Sequence, residues 1–183
     1  MIPNILTTMR LFLVPFFAYF MLTSNGTNNN MVIAVIIFLF SGITDIVDGY
    51  IARKYNMITD FGKIYDPFVD KLMQITALVC LVIKGLIPIW LLVLVIIKEV
   101  TMIIVGGVLY TKKIVVSSNW YGKLSTVVFY SIVVIIILFN KAIPNWGMIS
   151  LIVIMVISML VSAGGYAYDT LKNYKKKINS SDK

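Results

Sequence analysis

Six stretches of this chain, at about residues 6–23, 31–51, 65–84, 90–110, 121–139 and 146–168, are apolar over lengths near the roughly 20 residues that a helix needs to cross the hydrocarbon of a bilayer. A backbone surrounded by lipid must satisfy every N–H and C=O internally, as a helix does. The prediction is an all-α integral membrane protein with six transmembrane helices. Composition agrees: 60% of the 183 residues are hydrophobic, against roughly 45–50% in ordinary soluble domains.

The links between these stretches orient them. "SNGTNNN" at 24–30 is polar and uncharged, and "GLIP" at 85–88 and "NKAIPN" at 140–145 are turns carrying proline. The other links, with the C-terminal tail, hold Arg53, Lys54, Lys63, Lys112, Lys113, Lys172, Lys175, Lys176 and Lys177, while Lys84 and Lys141 flank the opposite side. The positive-inside rule therefore puts both termini in the cytoplasm of a multi-pass cell-membrane protein. The net charge of +8 is mostly this bias, with some attraction to anionic lipid; nucleic acid is not an expected partner, since no soluble basic domain is present. The apolar run after Arg10 lacks a small-residue cleavage site and reads as a retained helix rather than a signal peptide. No internal repeat pairs the halves. The expectation is one membrane domain over 1–183, with 168–183 a basic, solvated and partly irregular cytoplasmic tail.

Against this background Asp45, Asp48, Asp66 and Asp70 stand out, for they are half of the 8 acidic residues. Each carboxylate in a membrane helix costs roughly 2.5–3.5 kcal/mol on insertion scales, so something must compensate. Asp45 and Asp48 are spaced i, i+3 near the end of the second segment, and Asp66 and Asp70 i, i+4 near the start of the third. Each pair shares a helical face, and a short cytoplasmic loop joins the two helices, so the pairs lie at one membrane surface and can face each other. Converging carboxylates repel unless cations lie between them. The chain has no histidine and one cysteine, Cys80, within an apolar run. Any metal must therefore be held by oxygen, as Mg²⁺, Mn²⁺ or Ca²⁺ would be, with room for two ions.

Gly49 follows Asp48, and Gly62 precedes Asp66 by one helical turn. A helical glycine costs stability, and close approach of a ligand is one reason to keep it. Ala52 extends the bare surface, and Arg53 adds a fork suited to phosphate. Divalent ions, a bare slot and an arginine together point to a nucleoside diphosphate.

The run Asp45-x-x-Asp48-Gly49-x-x-Ala52-Arg53, then eight residues, then Gly62-x-x-x-Asp66-x-x-x-Asp70, resembles the signature of the CDP-alcohol phosphotransferases. "IPNILTTMR" at 2–10 and "DPFVDK" at 66–71 resemble the bacterial phosphatidyl-transferring branch of that family. The resemblance implies that an alcohol displaces CMP from CDP-diacylglycerol, with Mg²⁺ or Mn²⁺, two ions, held by Asp45, Asp48, Asp66 and Asp70. It further implies that Asp70 takes the acceptor proton, that Gly49, Ala52 and Gly62 line the cytidine slot, that Arg53 touches the diphosphate, and that the chain forms a homodimer.

The acceptor is read from weaker marks. "WYGKLSTVVF" at 120–129 places Lys123 at the start of the fifth helix, where the family resemblance implies binding of an acceptor phosphate. Lys98 and Glu99 match a basic-acidic pair of the same branch; neighbours in sequence point to different sides of a helix, so each is expected to bond to another helix. Glycerophosphate-using members carry further basic residues where this chain has Gly106 and Ser125. Glycerol 3-phosphate is the expected acceptor, with phosphatidylglycerol, the acceptor of a CMP-forming cardiolipin synthase, or the alcohol of another CDP-alcohol phosphotransferase as the alternatives.

Overall fold

The computed structural model describes residues 2–24, 28–54, 62–111 and 120–181, with side chains for 7–24, 29–45, 47, 65, 68–105, 120 and 122–170. The described residues are all-helical, without strands: α1 (Ile2–Thr23), α2 (Asn28–Lys54), α3 (Gly62–Ile83), α4 (Ile89–Thr111), α5 (Trp120–Phe139) and α6 (Asn145–Ser181). Each apolar segment holds one helix. The helices outrun the hydropathy windows, because polar residues at a segment's ends break its apolarity but not its hydrogen-bonding. The largest difference is at the C-terminus, where α6 continues to Ser181 through the tail expected to be partly irregular. No glycine or proline interrupts residues 166–181, and Leu171, Tyr174 and Ile178 keep helical spacing.

Among the described residues, two helical stretches are long and apolar enough to cross a membrane, Gly122–Phe139 and Asn145–Thr170. The apolar parts of α1 and α2, Thr7–Thr23 and Asn29–Asp45, are shorter.

The helices group into two compact units. The first contains Met1–Val93 and Val134–Asn140, and α1 is its organising helix, packed along both α2 and α3, which touch each other little. The reason lies in one face of α1, where Thr7, Arg10, Phe17, Met21 and Ser24 are buried at helical spacing. Phe17 packs on Phe38 of α2 with ring centroids 5.5 Å apart, and Arg10 meets Asp45. Seven residues forward on α1 thus match seven back on α2, which fixes an antiparallel register. Towards α3 the far end of α1 is tied instead: Lys84 Nζ donates to the Ser24 carbonyl at 2.6 Å and to Ser24 Oγ at 3.0 Å. α1 and α3 therefore run parallel.

α3 stops at a glycine. Gly85 has φ of 69°, in the left-handed region that side chains disfavour, and its N–H donates to the Val82 carbonyl while that of Leu86 donates to Leu81, both at 2.9 Å. This Schellman closure satisfies the last carbonyls of the helix and points Lys84 at Ser24.

The second unit contains Leu94–Val133 and Lys141–Lys183. Phe129, Ile132, Val133, Ile152, Met155 and Met159 are buried in it. A methyl group on Gly122 would lie 3.9 Å from Ser162 Oγ, so the first turn of α5 lies beside a middle turn of α6 and, with the short link at 140–144 joining α5 to α6, the two helices are antiparallel.

Candidate active site

The last turns of α2 carry Asp45, Asp48, Gly49, Ala52 and Arg53, and the first turns of α3 carry Gly62, Asp66 and Asp70. On α2 the buried positions Ala34, Phe38 and Ser41 step by three or four residues into Asp45, so Asp45 continues the face that α2 turns to α1. Side chains of Asp48, Ala52, Arg53 and Asp66, and the surroundings of Gly49 and Gly62, lie outside the described residues; Asp45 and Asp70 are described.

Asp45 is held by a residue of α1. Arg10 Nη1 donates to Asp45 Oδ1 at 3.0 Å, with the arginine side chain fully buried and the aspartate 38% exposed. Part of the compensation that Asp45 requires is thus built into the protein as a guanidinium. In the sequence Arg10 stands only as the flank of an apolar run. It is the one charged residue of α1, seven residues before the buried Phe17, and that placement on the packing face was the available signal.

Asp70 is held from within its own helix. Gln74 Nε2 donates to Asp70 Oδ2 at 3.0 Å, and Gln74 itself is buried. An amide one turn along fixes the carboxylate's rotation, as neighbours at i, i+4 can. The two aspartates also lie at comparable depth. Arg10 precedes Ser24 by the same number of residues as Asp70 precedes Lys84. At about 1.5 Å per residue, the Ser24–Lys84 tie brings Arg10, and with it Asp45, roughly level with Asp70.

These donors suit a hard divalent cation, since both described carboxylates are partly exposed and neither histidine nor thiolate competes for the ion. Among the described side chains no three acidic, histidine or cysteine groups converge; Asp48 and Asp66, expected to complete the set, are not among them.

In the second unit Lys98 and Glu99, each expected to bond to another helix, also meet each other: Lys98 Nζ donates to Glu99 Oε1 at 2.6 Å. The lysine stem is long enough to swing around the helix to its neighbour, and in an apolar helix the nearest opposite charge is the least costly partner. Lys123 is exposed in the first turn of α5, whereas Ser125 is buried. Gly106 lies on α4, its surroundings outside the described residues.

Several known proteins are similar in sequence to this chain. The model of the CDP-alcohol phosphatidyltransferase family matches residues 1–163. A Bacillus subtilis protein named CDP-diacylglycerol–glycerol-3-phosphate 3-phosphatidyltransferase is 36% identical over 135 residues, covering 68% of this chain and 70% of its own. A Mycobacterium tuberculosis protein named probable phosphatidylglycerophosphate synthase is 36% identical over 126 residues, 68% of this chain and 60% of its own. A Streptomyces coelicolor protein named cardiolipin synthase (CMP-forming) is 33% identical over 109 residues, 59% of this chain and 51% of its own. With the family model running through both units and the signature intact on α2 and α3, the chain belongs to the CDP-alcohol phosphatidyltransferase family, an enzyme family of phospholipid biosynthesis.

Proposed function

We propose that the protein is a phosphatidylglycerophosphate synthase, transferring the phosphatidyl group of CDP-diacylglycerol to glycerol 3-phosphate. The acceptor hydroxyl oxygen bonds to the phosphorus of the phosphatidyl group, the bond to the bridging oxygen of the diphosphate breaks, and CMP leaves with that oxygen. The hydroxyl proton passes to Asp70, whose carboxylate Gln74 holds in orientation. Asp45, Asp48, Asp66 and Asp70 would hold two Mg²⁺ or Mn²⁺ ions, which when bound neutralise charge on the diphosphate and on departing CMP. Gly49, Ala52 and Gly62 leave room for cytidine, Arg53 binds the diphosphate, and Lys123 the acceptor phosphate. The reading includes six membrane spans, cytoplasmic termini and active site, a single domain with a basic tail over 168–183, and a homodimer. Its strongest support is the intact signature, together with relatives named for this reaction.

One observation favours a second acceptor, phosphatidylglycerol. Gly106 and Ser125 supply no charge where glycerophosphate would want it, and one relative is named a cardiolipin synthase. The test is CMP release by purified protein from CDP-diacylglycerol with Mg²⁺ or Mn²⁺ and one acceptor at a time. Release with glycerol 3-phosphate, abolished by chelator and restored by the ion, is expected. Release with phosphatidylglycerol alone would overturn the acceptor, and full turnover in excess chelator would overturn the metal.

A further inference from the structure

Asp45 carries a cationic partner within the protein itself. Its Oδ1 accepts from Arg10 Nη1 at 3.0 Å, and among the described residues it makes no other hydrogen bond or ion pair. Arg10 is 1% exposed although it carries a full charge, and removing such a group from solvent is costly unless an opposite charge meets it. Asp45 is 38% exposed on its side chain, so a second cation has access to the carboxylate that Arg10 already holds.

Two cations on one carboxylate repel each other, and the repulsion is stronger in a low-dielectric site than in water. Arg10 must therefore stabilise the acidic site more when divalent ions are absent than when they are bound. By linkage, ions must bind less tightly with Arg10 present than without it.

We infer that Arg10 is the charge-balancing residue of the acidic site, a fixed internal cation that holds Asp45 in place while the site is free of metal and that lowers the site's affinity for divalent ions. The inference rests on the proposed binding of metal by the four aspartates. It differs from an orienting role for Arg10, which would make ions bind more weakly once the arginine is lost.

The test uses the full-length protein in detergent, with Mn²⁺ affinity read from the free-ion electron paramagnetic resonance signal and thermal unfolding followed in chelator and in saturating Mn²⁺. Arg10→Met should bind Mn²⁺ about 10-fold or more tightly than wild type, the equivalent of roughly 1.4 kcal/mol. It should also be less stable than wild type in chelator and recover much of the deficit in Mn²⁺. Arg10→Lys, which keeps the charge but not the fork, should bind close to wild type. Equal or weaker binding by Arg10→Met overturns the inference, as does tighter binding by both variants, because geometry rather than charge would then be at work. Should Arg10→Met be lost in chelator, Mn²⁺ present from membrane extraction onward must rescue it; loss under both conditions also overturns the inference. Failure of wild type to bind Mn²⁺ would overturn the metal reading itself, a distinct outcome.

Discussion

Replacing Gln74 by leucine removes one hydrogen bond from Asp70 and little else. Gln74 is 6% exposed, leucine fills a similar volume, and the helix of α3 is left intact. The lost interaction is an amide donor 3.0 Å from a carboxylate oxygen. Hydrogen bonds to charged groups contribute roughly 1.5–3 kcal/mol. Asp70 is only half-buried, so water replaces part of the donor, and the lower end of that range applies. If the carboxylate must be correctly rotated to receive the acceptor proton, the loss falls on turnover, by about 10-fold for about 1.4 kcal/mol. The Michaelis constant for CDP-diacylglycerol should hardly change. CMP release at saturating substrates, alongside thermal unfolding, separates this effect from instability. Gln74→Glu, which sets a second negative charge beside Asp70, should be worse than Gln74→Leu. The decisive comparison is a double-mutant cycle with Asp70→Asn. Once the carboxylate is gone, Gln74→Leu should cost little more. A turnover within twofold of wild type in the single variant, or a full extra loss in the double variant, would refute an action of Gln74 through Asp70.

Lys123→Ala should raise the Michaelis constant for glycerol 3-phosphate by about 10-fold, and affect phosphatidylglycerol less because acyl chains anchor that lipid; no change in acceptor titrations would remove Lys123 from the site. Lys84→Met should lower the unfolding temperature in detergent whether or not metal is present, since it breaks both bonds to Ser24 at the end of α3 away from the aspartates. An unchanged unfolding temperature would show that the tie contributes nothing to stability. Glu99→Gln and Lys98→Met should each destabilise by roughly 3 kcal/mol or more if the pair is as buried in lipid as in the protein, with the double variant recovering much of the loss; additive losses would mean that the two do not act as a pair.

Helices were legible in the sequence wherever apolar residues ran without interruption, and for that reason the termini were not. Hydropathy responds to what lipid accepts, whereas helix formation also tolerates the polar residues at 28–30 and beyond 168. The aspartates were legible because carboxylates in an apolar chain demand an explanation and their spacing fits helices. Arg10 and Gln74 were hidden for the opposite reason. A single arginine near an apolar run resembles a topological flank, and a single glutamine a tolerated interruption, until packing shows that both are buried beside a carboxylate. Lys98 and Glu99 show the limit of spacing rules, because side-chain length lets sequence neighbours meet where their Cβ directions diverge.

The Arg10–Asp45 bond spans 35 residues of chain, and this separation bears on how the protein is made. On the six-span reading α1 leaves the ribosome before α2, and it carries a cation whose partner lies near the far end of α2. An arginine in the apolar part of a helix carries an insertion cost of up to roughly 2.5–3.5 kcal/mol near the helix centre, less towards its ends. Until Asp45 is synthesised, Arg10 lacks the carboxylate that offsets that cost. The favourable order of biogenesis is then a hairpin, in which α1 waits at the translocon, α2 follows through the polar link at 24–30, and the two enter the bilayer with the ion pair already closed.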